Sequence, residues 1–219
     1  MKPAAIIFDL DGTLIDNNAY HIEAWKAFHH KIGRPFSLEE YKTTFNGKIN
    51  RDIFHYIFQR KLSAEEIEQM TEEKESLYRE LYAPHIEPVP GLIDFLDELY
   101  HAGIPMAVAT SGLPVNIQFM FDRVSIEKYF VTVVNSTHVS KGKPDPEIFL
   151  KAADFLDADP GKSIAFEDSV SGVVSAKAAG MKVVGLVTTH AREDLDRADL
   201  IIKDYTEINF QQLQQLFDA

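Results

Sequence analysis

The sequence predicts an α/β protein, a doubly wound parallel sheet that carries an inserted all-α cap domain. From about residue 89 onward, short apolar segments alternate with helical patterns, which is typical of βαβ units and a parallel sheet. The region from about Asn18 to Leu81 is helical, with no convincing strand. This region separates an apolar segment at residues 4–8 from the other strands. We therefore expect one α/β core that is interrupted just after its first strand.

The expected strands are short and apolar, as buried parallel strands are. They are Ala4–Phe8, Met106–Thr110, Val131–Val134, Ser163–Phe166, Val183–Val187 and Leu200–Ile202. Helical patterns fill the intervals between the later strands. The helices expected there are Leu92–His101, Val115–Val124, Pro146–Leu156 and Gly172–Ala179.

The inserted region predicts a small helical bundle. Ser37-x-x-Glu40 and Ser63-x-x-Glu66 are typical of capping boxes, and Asn50 is expected to cap a third helix. Apolar residues at helical spacing define the faces that we expect to be buried. They are Ile22, Trp25, Phe28 and Ile32, then Ile53, Phe54, Ile57 and Phe58, then Ile67, Met70, Leu77 and Leu81.

The domain boundaries follow from these patterns. We expect residues 1–15 and 87–219 to form the α/β core and residues 16–86 to form the inserted cap. The return crossing falls in the proline-rich stretch Pro84–Pro90, whose composition suits a linker.

Composition limits the classes of function. The net charge of −12 argues against a surface for nucleic acids or anionic membranes, although a metal ion and a lysine could still admit an anionic small substrate. The chain has no cysteine, which excludes disulfides, thiolate catalysis and cysteine-bound zinc. No apolar run approaches the length of a membrane span, and the apolar stretch at the N-terminus is too short for a signal peptide. A cytosolic protein is the expectation.

Two carboxylates, Asp9 and Asp11, emerge where the first strand ends, and Gly12 then allows a sharp turn. Ligands bind at this edge of open α/β sheets. Two acids delivered to one point repel each other unless a cation or a reaction compensates. An acidic turn without function is the alternative, because Asp-Gly is common in turns.

A second acid pair, Glu167 and Asp168, follows the strand that ends at Phe166. Carboxylate oxygens are the ligands that Mg²⁺ prefers, so the four acids together suggest a magnesium site. Capping of the next helix by Asp168 or Ser169 is compatible with that function.

Two further features follow strand ends. Thr110-Ser111-Gly112 offers hydroxyl and backbone N–H groups that suit a phosphate, although the same residues are common in turns. Lys143, held by Pro144, could neutralise a phosphoryl group or neighbouring carboxylates, or could lie in a solvated basic loop. Because the carboxyl ends of parallel strands share one edge of the sheet, all these groups are expected to converge.

Taken in order, these motifs resemble the haloacid dehalogenase superfamily, in its phosphatase and β-phosphoglucomutase-like branch. The motifs are Asp9-x-Asp11-Gly12-Thr13, Thr110-Ser111-Gly112, Lys143-Pro144 and Glu167-Asp168-Ser169-x-x-Gly172. The resemblance covers essentially the whole chain. It implies a Rossmann-like core with a helical cap inserted after the first motif.

The resemblance also implies a mechanism. Asp9 would be the nucleophile that forms an aspartyl-phosphate, and Asp11 would be general acid and then general base. Thr110 and Lys143 would hold the phosphoryl oxygens. The second aspartate favours phosphate over halide chemistry, because dehalogenases of the superfamily lack it.

The implied cofactor is Mg²⁺. It would bind the Asp9 carboxylate, the Asp11 backbone carbonyl and Asp168, with Glu167 close by or behind a water molecule.

The cap carries weaker resemblances. His21 matches a mutase histidine that hydrogen-bonds the general acid, although a partly buried helix histidine is equally expected. Lys48 and Arg51 lie in a segment that resembles the loop facing the active site, and either could meet a distal anion of a substrate or face solvent.

Departures from the mutase pattern favour a hydrolase. Mutases grip the distal phosphate with polar residues after the second motif, where this chain has Leu113 and Pro114. The basic residue nearest to the mutase cap lysine is Arg79.

The expected function is a Mg²⁺-dependent phosphatase acting on a small phosphorylated metabolite, in a protein that is monomeric. The alternatives are a β-phosphoglucomutase and a non-catalytic binding protein on the same scaffold. The sequence does not choose the substrate.

Overall fold

The computed structural model describes residues 2–217, and its core is a sheet of six parallel strands. Their order across the sheet is β3-β2-β1-β4-β5-β6. The strands are β1 (Ile6–Phe8), β2 (Met106–Ala109), β3 (Thr132–Val134), β4 (Ile164–Glu167), β5 (Lys182–Leu186) and β6 (Leu200–Ile202). Each overlaps an expected strand, and the predicted fold class is confirmed.

The strand order reverses beside β1, which pairs with β2 on one side and with β4 on the other. Phe8 is in register with Val108 and with Phe166, so the loops after these three strands begin at the same level. A reversal of this kind opens a crevice at the carboxyl edge, where ligands of doubly wound sheets bind.

Two groups of helices accompany the sheet. One group flanks the strands, and the other forms a separate layer that is inserted in the chain between β1 and β2. That inserted layer contains α1 (Asn18–Lys31), α2 (Leu38–Glu40), α3 (Asn50–Phe58) and α4 (Ala64–Tyr82), with one π-helical turn at Tyr41–Phe45. The remaining helices are α5 (Leu92–His101), α6 (Pro114–Val124), α7 (Glu147–Phe155), α8 (Val170–Ala178) and α9 (Phe210–Gln215).

The inserted helices have a hydrophobic cluster of their own. Trp25 and Phe28 from α1 pack there with Phe54 from α3, with ring centroids 5.3–5.6 Å apart. Ile67 and Met70 from α4 pack against the same cluster. On the predicted apolar faces of α1 and α3, Trp25, Phe28, Ile53 and Phe54 are buried, and the other predicted residues are partly buried and pack against the cluster.

The helix caps agree with the sequence in part. Ser63 and Glu66 form the predicted capping box of α4. The Ser37 hydroxyl accepts from Glu40 N–H, but the Glu40 side chain contacts Arg34 rather than completing the box.

The prediction that Asn50 caps α3 is wrong. Ile49 occupies the cap position, and Asn50 is the first helical residue. Its side-chain amide donates instead to Glu75 on α4. Asn50 and Glu75 are 25 positions apart in the chain, so no local pattern in the sequence indicates their contact.

The buried face of α4 also differs from the prediction. Leu81 is exposed, whereas Lys74, Glu75, Tyr78 and Tyr82 are buried. A charged pair can be buried where each charge has a partner, and Lys74 Nζ lies 2.9 Å from Glu75 Oε1.

The two connections between the inserted helices and the sheet run side by side. Val89 N–H donates to Leu14 carbonyl at 3.0 Å, and Ile15 forms a bridge with Pro88. These contacts lie near the domain boundaries that we expect from the sequence. Those domain boundaries stay a prediction. No helix within residues 2–217 has the length and apolar character needed to cross a membrane.

Candidate active site

A cavity of about 70 Å³ lies between the carboxyl edge of the sheet and the inserted helices. The sheet side contributes residues from the loops after β1, β2, β4 and β5. The helical side contributes polar and aromatic residues of α1, α3, α4 and the loop before α3. The lining includes Asp9, Asp11, Thr110, Ser111, Gly112, Leu113, Asn116, Asp168, Thr189, Asn17, His21, Trp25, Tyr41, Phe45, Lys48, Asn50, Lys74 and Glu75.

Asp9 and Lys143 form a buried ion pair directly after β1. Lys143 Nζ lies 2.6 Å from Asp9 Oδ1 and 2.5 Å from Glu167 Oε1, and it also donates to the Ala109 carbonyl. Burial alone would lower the pKa of Lys143, but the charges of Asp9 and Glu167 raise it above its usual value. The lysine is therefore a fixed cation at the switch point of the sheet.

Glu167 anchors this lysine. Its Oε2 atom accepts from the backbone N–H groups of Asp168 and Ser169 and from the Ser169 hydroxyl. The carboxylate packs against Gly172, where an added Cβ would come within 1.9 Å of it. Glu167 thus has partners on both oxygens.

Asp9, Glu167 and Asp168 each bring a carboxylate oxygen within 4.8 Å of the others. Burial raises the pKa of Asp9 well above its usual value; Lys143 acts in the opposite direction, and repulsion by Glu167 and Asp11 adds to the effect of burial. Burial likewise raises the pKa of Asp168, with repulsion by Glu167 and Asp9 added. The cluster therefore holds more negative charge than one lysine compensates.

This donor set fits Mg²⁺. The ion prefers oxygen ligands, and a cation between Asp9 and Asp168 would relieve their repulsion. Gly12 leaves the room that Asp168 occupies, because an added Cβ would lie 2.1 Å from Asp168 Oδ2.

Substitution of Gly12 tests this arrangement. Gly12→Ala should be destabilised both by its positive φ of 75° and by the collision with Asp168, and Mg²⁺ should raise its melting temperature less than that of the wild type. Gly33→Ala is the matched control, because Gly33 has a φ of 68° with nothing within 4 Å of the added Cβ. The control should show only the backbone strain, about 1–2 kcal/mol. Equal responses to Mg²⁺ in the two variants would contradict a role for Gly12 in seating Asp168.

The second motif lies beside this cluster. Thr110 Oγ1 accepts from Gly112 N–H at 2.9 Å, and Thr110 is buried at the edge of the cavity. The Ser111 hydroxyl donates to the Gly47 carbonyl of the inserted helical layer. Ser111 therefore contributes to the contact between the two layers as well as lining the cavity.

Asp11 points away from the carboxylate cluster and toward α1. Its Oδ1 accepts from Asn17 Nδ2 at 2.5 Å and lies 3.6 Å from His21 Nε2. Burial would raise the pKa of Asp11, but interactions with His21 and Asn17 outweigh it, and the pKa is lowered. Lys74 Nζ donates to His21 Nδ1 at 2.8 Å, so the other ring nitrogen, Nε2, faces Asp11.

The two basic candidates of the loop before α3 lie in different places. Lys48 lines the cavity, and no hydrogen bond or ion pair of its side chain occurs within residues 2–217. Arg51 is not among the lining residues and donates to the Ser140 carbonyl. Arg79, which the sequence suggested as the nearest basic residue of the cap, contacts Asn116 and Glu72. The basic residue that α4 brings to the cavity is Lys74.

Sequence reasoning missed the pair Lys74 and Glu75 and their partner Asn116. One signal could have found Lys74. Lys74, Tyr78 and Tyr82 recur at intervals of four residues, so a charged residue lies on a stripe of aromatic ones. Asn116 has no comparable signal, because it reaches the cavity only through the packing of α6 against α4.

The known proteins that this chain resembles point to one family. The family model described as haloacid dehalogenase-like hydrolase matches residues 6–186. A phosphorylated carbohydrates phosphatase of Thermotoga maritima is 34% identical over 84% of this chain and 85% of its own length. A β-phosphoglucomutase of Bacillus subtilis is 30% identical over 96% of this chain and 94% of its own length.

A solved structure shares the architecture. The crystal structure of a HAD hydrolase, family IA, variant 3 from Entamoeba histolytica superposes with a TM-score of 0.87 and 31% sequence identity. The match covers all of both chains. The inserted helices therefore belong to the shared fold.

Proposed function

The chain belongs to the haloacid dehalogenase-like hydrolase family, and we propose that it is a Mg²⁺-dependent phosphatase of a small phosphorylated metabolite. The reaction proceeds through an aspartyl-phosphate on Asp9. The observation that carries the proposal is the buried Asp9, 2.6 Å from Lys143 and within 4.8 Å of Asp168 at the mouth of the crevice. A nucleophile, a fixed cation and metal-binding oxygens at one point are what phosphoryl transfer requires.

The Asp9 and Asp168 carboxylates, with the Asp11 backbone carbonyl, would hold the Mg²⁺ ion. When bound, the ion supplies positive charge that offsets the charge of the phosphoryl group. We assign Glu167 to holding Lys143 in place, because both of its oxygens already have protein donors.

The chemistry takes two displacements at phosphorus. In the first, an Asp9 oxygen forms a bond to phosphorus while the bond to the leaving oxygen breaks, and Asp11 gives that oxygen a proton. In the second, Asp11 takes a proton from water as the water oxygen attacks phosphorus. The bond to Asp9 then breaks, and inorganic phosphate leaves with the Asp9 carboxylate restored.

The neighbours of these two aspartates have supporting roles in the proposal. Lys143 and Thr110, with Ser111 and Gly112, hold the phosphoryl oxygens that do not react. Lys48, the unpaired cation of the lining, approaches the phosphate from the cap.

Asn17 and His21 orient the Asp11 carboxyl group toward the leaving oxygen. Asp11 is ionised before the substrate binds, since its pKa is lowered. The arriving phosphate dianion raises that pKa, so Asp11 takes up from solvent the proton that it gives to the leaving oxygen. The proton that it later takes from the attacking water returns to solvent when phosphate leaves. Closure of the inserted helices over the sheet excludes bulk water during the reaction.

A β-phosphoglucomutase is the second candidate, favoured by the 30% identity to the Bacillus subtilis enzyme. Two observations support the hydrolase instead. Leu113 brings an apolar side chain to the lining, and Pro114 has no backbone N–H, so neither side chain donates a hydrogen bond to a second phosphate.

A phosphate-release screen separates these functions. The purified protein with Mg²⁺ should release inorganic phosphate from one or more sugar phosphates, phosphoglycolate, nucleotides or pyrophosphate. Conversion of β-glucose 1-phosphate to glucose 6-phosphate, primed by a bisphosphate and without phosphate release, would favour the mutase. Absence of both reactions would favour a binding protein on this scaffold. Cytosolic location and a monomeric state stay predictions.

Removal of the metal should abolish phosphate release, and added Mg²⁺ should restore it. Mg²⁺ at 100 times its dissociation constant should also raise the free energy of unfolding by about 2.7 kcal/mol, because the ion binds only the folded chain. Asp168→Asn should need more Mg²⁺ for half-maximal activity, whereas Asp154→Asn, an exposed residue of α7, should not. Undiminished phosphate release in EDTA would contradict the metal requirement.

A further inference from the structure

The loop that follows β5 carries a buried hydroxyl group, on Thr189, to which the mechanism gives no role. Thr189 is 8% exposed and lines the cavity. Within residues 2–217, its Oγ1 atom has no hydrogen-bond partner. Buried polar groups are hydrogen-bonded in most native structures, because a buried donor without an acceptor keeps the full cost of its desolvation. An unpaired hydroxyl group in the wall of a cavity therefore marks a donor that the chemistry of the site can use.

The acceptor that this hydroxyl group faces is the Asp168 carboxylate. An added Cβ on Gly12 would lie 2.1 Å from Asp168 Oδ2 and 2.8 Å from Thr189 Oγ1, so both oxygens border the same small space. The hydroxyl group also opposes the rise that burial causes in the pKa of Asp168. It is thus near enough to stabilise the carboxylate, although it falls short of a complete hydrogen bond.

Contacts on both sides of Thr189 hold its loop in place. The Thr188 hydroxyl donates to the Gly12 carbonyl at 2.5 Å, which ties the loop to the turn after β1. His190 Nε2 lies 3.0 Å from Asn46 Oδ1, which belongs to the inserted helical layer. Because the backbone is fastened before and after Thr189, its hydroxyl group can reorient but stays at the edge of the cavity.

Asp168 and Thr189 complement each other within the acid cluster. Asp9 and Glu167 both accept from Lys143, and Glu167 also accepts from donors that directly precede α8. By contrast, no donor within residues 2–217 completes a hydrogen bond to the Asp168 carboxylate. Asp168 is thus the acid of the cluster without a donor, and Thr189 is the donor beside it without an acceptor.

We propose that Thr189 is a positioning residue, whose hydroxyl group donates to the Asp168 carboxylate and holds it in the orientation that binds Mg²⁺. A carboxylate has about four acceptor positions on its two oxygens, so Asp168 can accept from the hydroxyl group and bind an ion at the same time. Hydrogen bonds to metal-binding carboxylates fix their orientation and contribute to the affinity for the metal. The inference rests on the proposed Mg²⁺-dependent function and adds a residue to the same site.

Substitutions that separate the hydroxyl group of Thr189 from its shape test the inference. Thr189→Val keeps the shape and removes the donor, so it should raise the dissociation constant for Mg²⁺ by about 10–100-fold, the range typical of lost hydrogen bonds to metal ligands. Thr189→Ser keeps the donor and should stay close to the wild-type value. Isothermal titration calorimetry with Mg²⁺ and without substrate measures these constants independently of turnover.

Two further readouts distinguish positioning from a general loss of structure. In EDTA, Thr189→Val should resist urea at least as well as the wild type, because a methyl group replaces a buried hydroxyl group that lacks an acceptor. At saturating Mg²⁺ its kcat should approach the wild-type value, whereas the Mg²⁺ concentration for half-maximal phosphate release should rise together with the dissociation constant.

Thr13→Val is the matched control. Thr13 Oγ1 is also buried without a hydrogen bond within residues 2–217, but Thr13 is not among the residues that line the cavity. Removal of this hydroxyl group should therefore leave the dissociation constant for Mg²⁺ unchanged.

Several results would overturn the inference. One is unchanged Mg²⁺ affinity in Thr189→Val, or in Thr189→Ala if Thr189→Val does not fold. Another is an equal loss of affinity in Thr189→Val and in Thr189→Ser or Thr13→Val, since the hydroxyl group at position 189 would then not be the cause. The proposed function would survive these results, whereas absence of Mg²⁺ binding by the wild type would contradict the metal requirement together with the inference.

Discussion

Asp9→Asn should lower kcat for phosphate release by about 10⁴-fold or more, the scale expected when the nucleophile of a covalent mechanism is removed. The carboxamide keeps the size of the side chain but cannot form the bond to phosphorus. Asp154→Asn, which changes an exposed aspartate of the same core, should retain wild-type kcat. The measurement is initial-rate phosphate release with saturating substrate and Mg²⁺. Substantial turnover by Asp9→Asn would remove Asp9 from the chemistry.

The same substitution should leave the fold intact. Asp9 is repelled by Glu167 and Asp11, and its loss leaves Lys143 paired with Glu167 at 2.5 Å. In EDTA, the free energy of unfolding of Asp9→Asn should therefore equal or exceed that of the wild type, because a buried like-charge repulsion is relieved. Urea denaturation followed by circular dichroism measures this difference. A clear loss of stability would mean that the low activity reports misfolding.

Lys143→Met should have the largest effect on stability. The side chain is of similar length, but its loss leaves Asp9 and Glu167 buried without their common cation. Removing one partner of a buried ion pair costs about 3–5 kcal/mol. Phosphate release should fall as well, because we propose that Lys143 holds the phosphoryl oxygens that do not react.

Lys26→Met is the matched control for that variant. Lys26 forms an exposed ion pair with Glu23 on α1, and its loss should change the free energy of unfolding by less than about 1 kcal/mol. Denaturation of both variants in urea gives the comparison. Equal stability of Lys143→Met and the wild type would contradict the view that Lys143 compensates the buried acids.

The sequence predicted the part of the site that lies directly after recognisable strands of the parallel sheet. Asp9 and Asp168 follow strands that are neighbours in the sheet, and their carboxylates therefore meet. Short continuous apolar segments in the sequence identified those strands to within about two residues, because buried parallel strands are apolar along their whole length.

The part that it did not predict depends on contacts between distant elements. Glu75 reaches Asn116 across 41 residues, and Asn50 leaves its expected capping role to reach Glu75. Helical periodicity assigned Leu81 to the buried face because it treats charged residues as exposed. On α4, however, Lys74 and Glu75 neutralise each other and are buried.

The stereochemical course at phosphorus tests the central claim most directly. A substrate analogue whose phosphoryl group carries one sulfur and two different oxygen isotopes would be hydrolysed by the wild type in water of the third oxygen isotope, and the configuration of the released thiophosphate determined. Two in-line displacements, the first by Asp9 and the second by water, predict overall retention. Overall inversion would require a single attack by water and would contradict the aspartyl-phosphate.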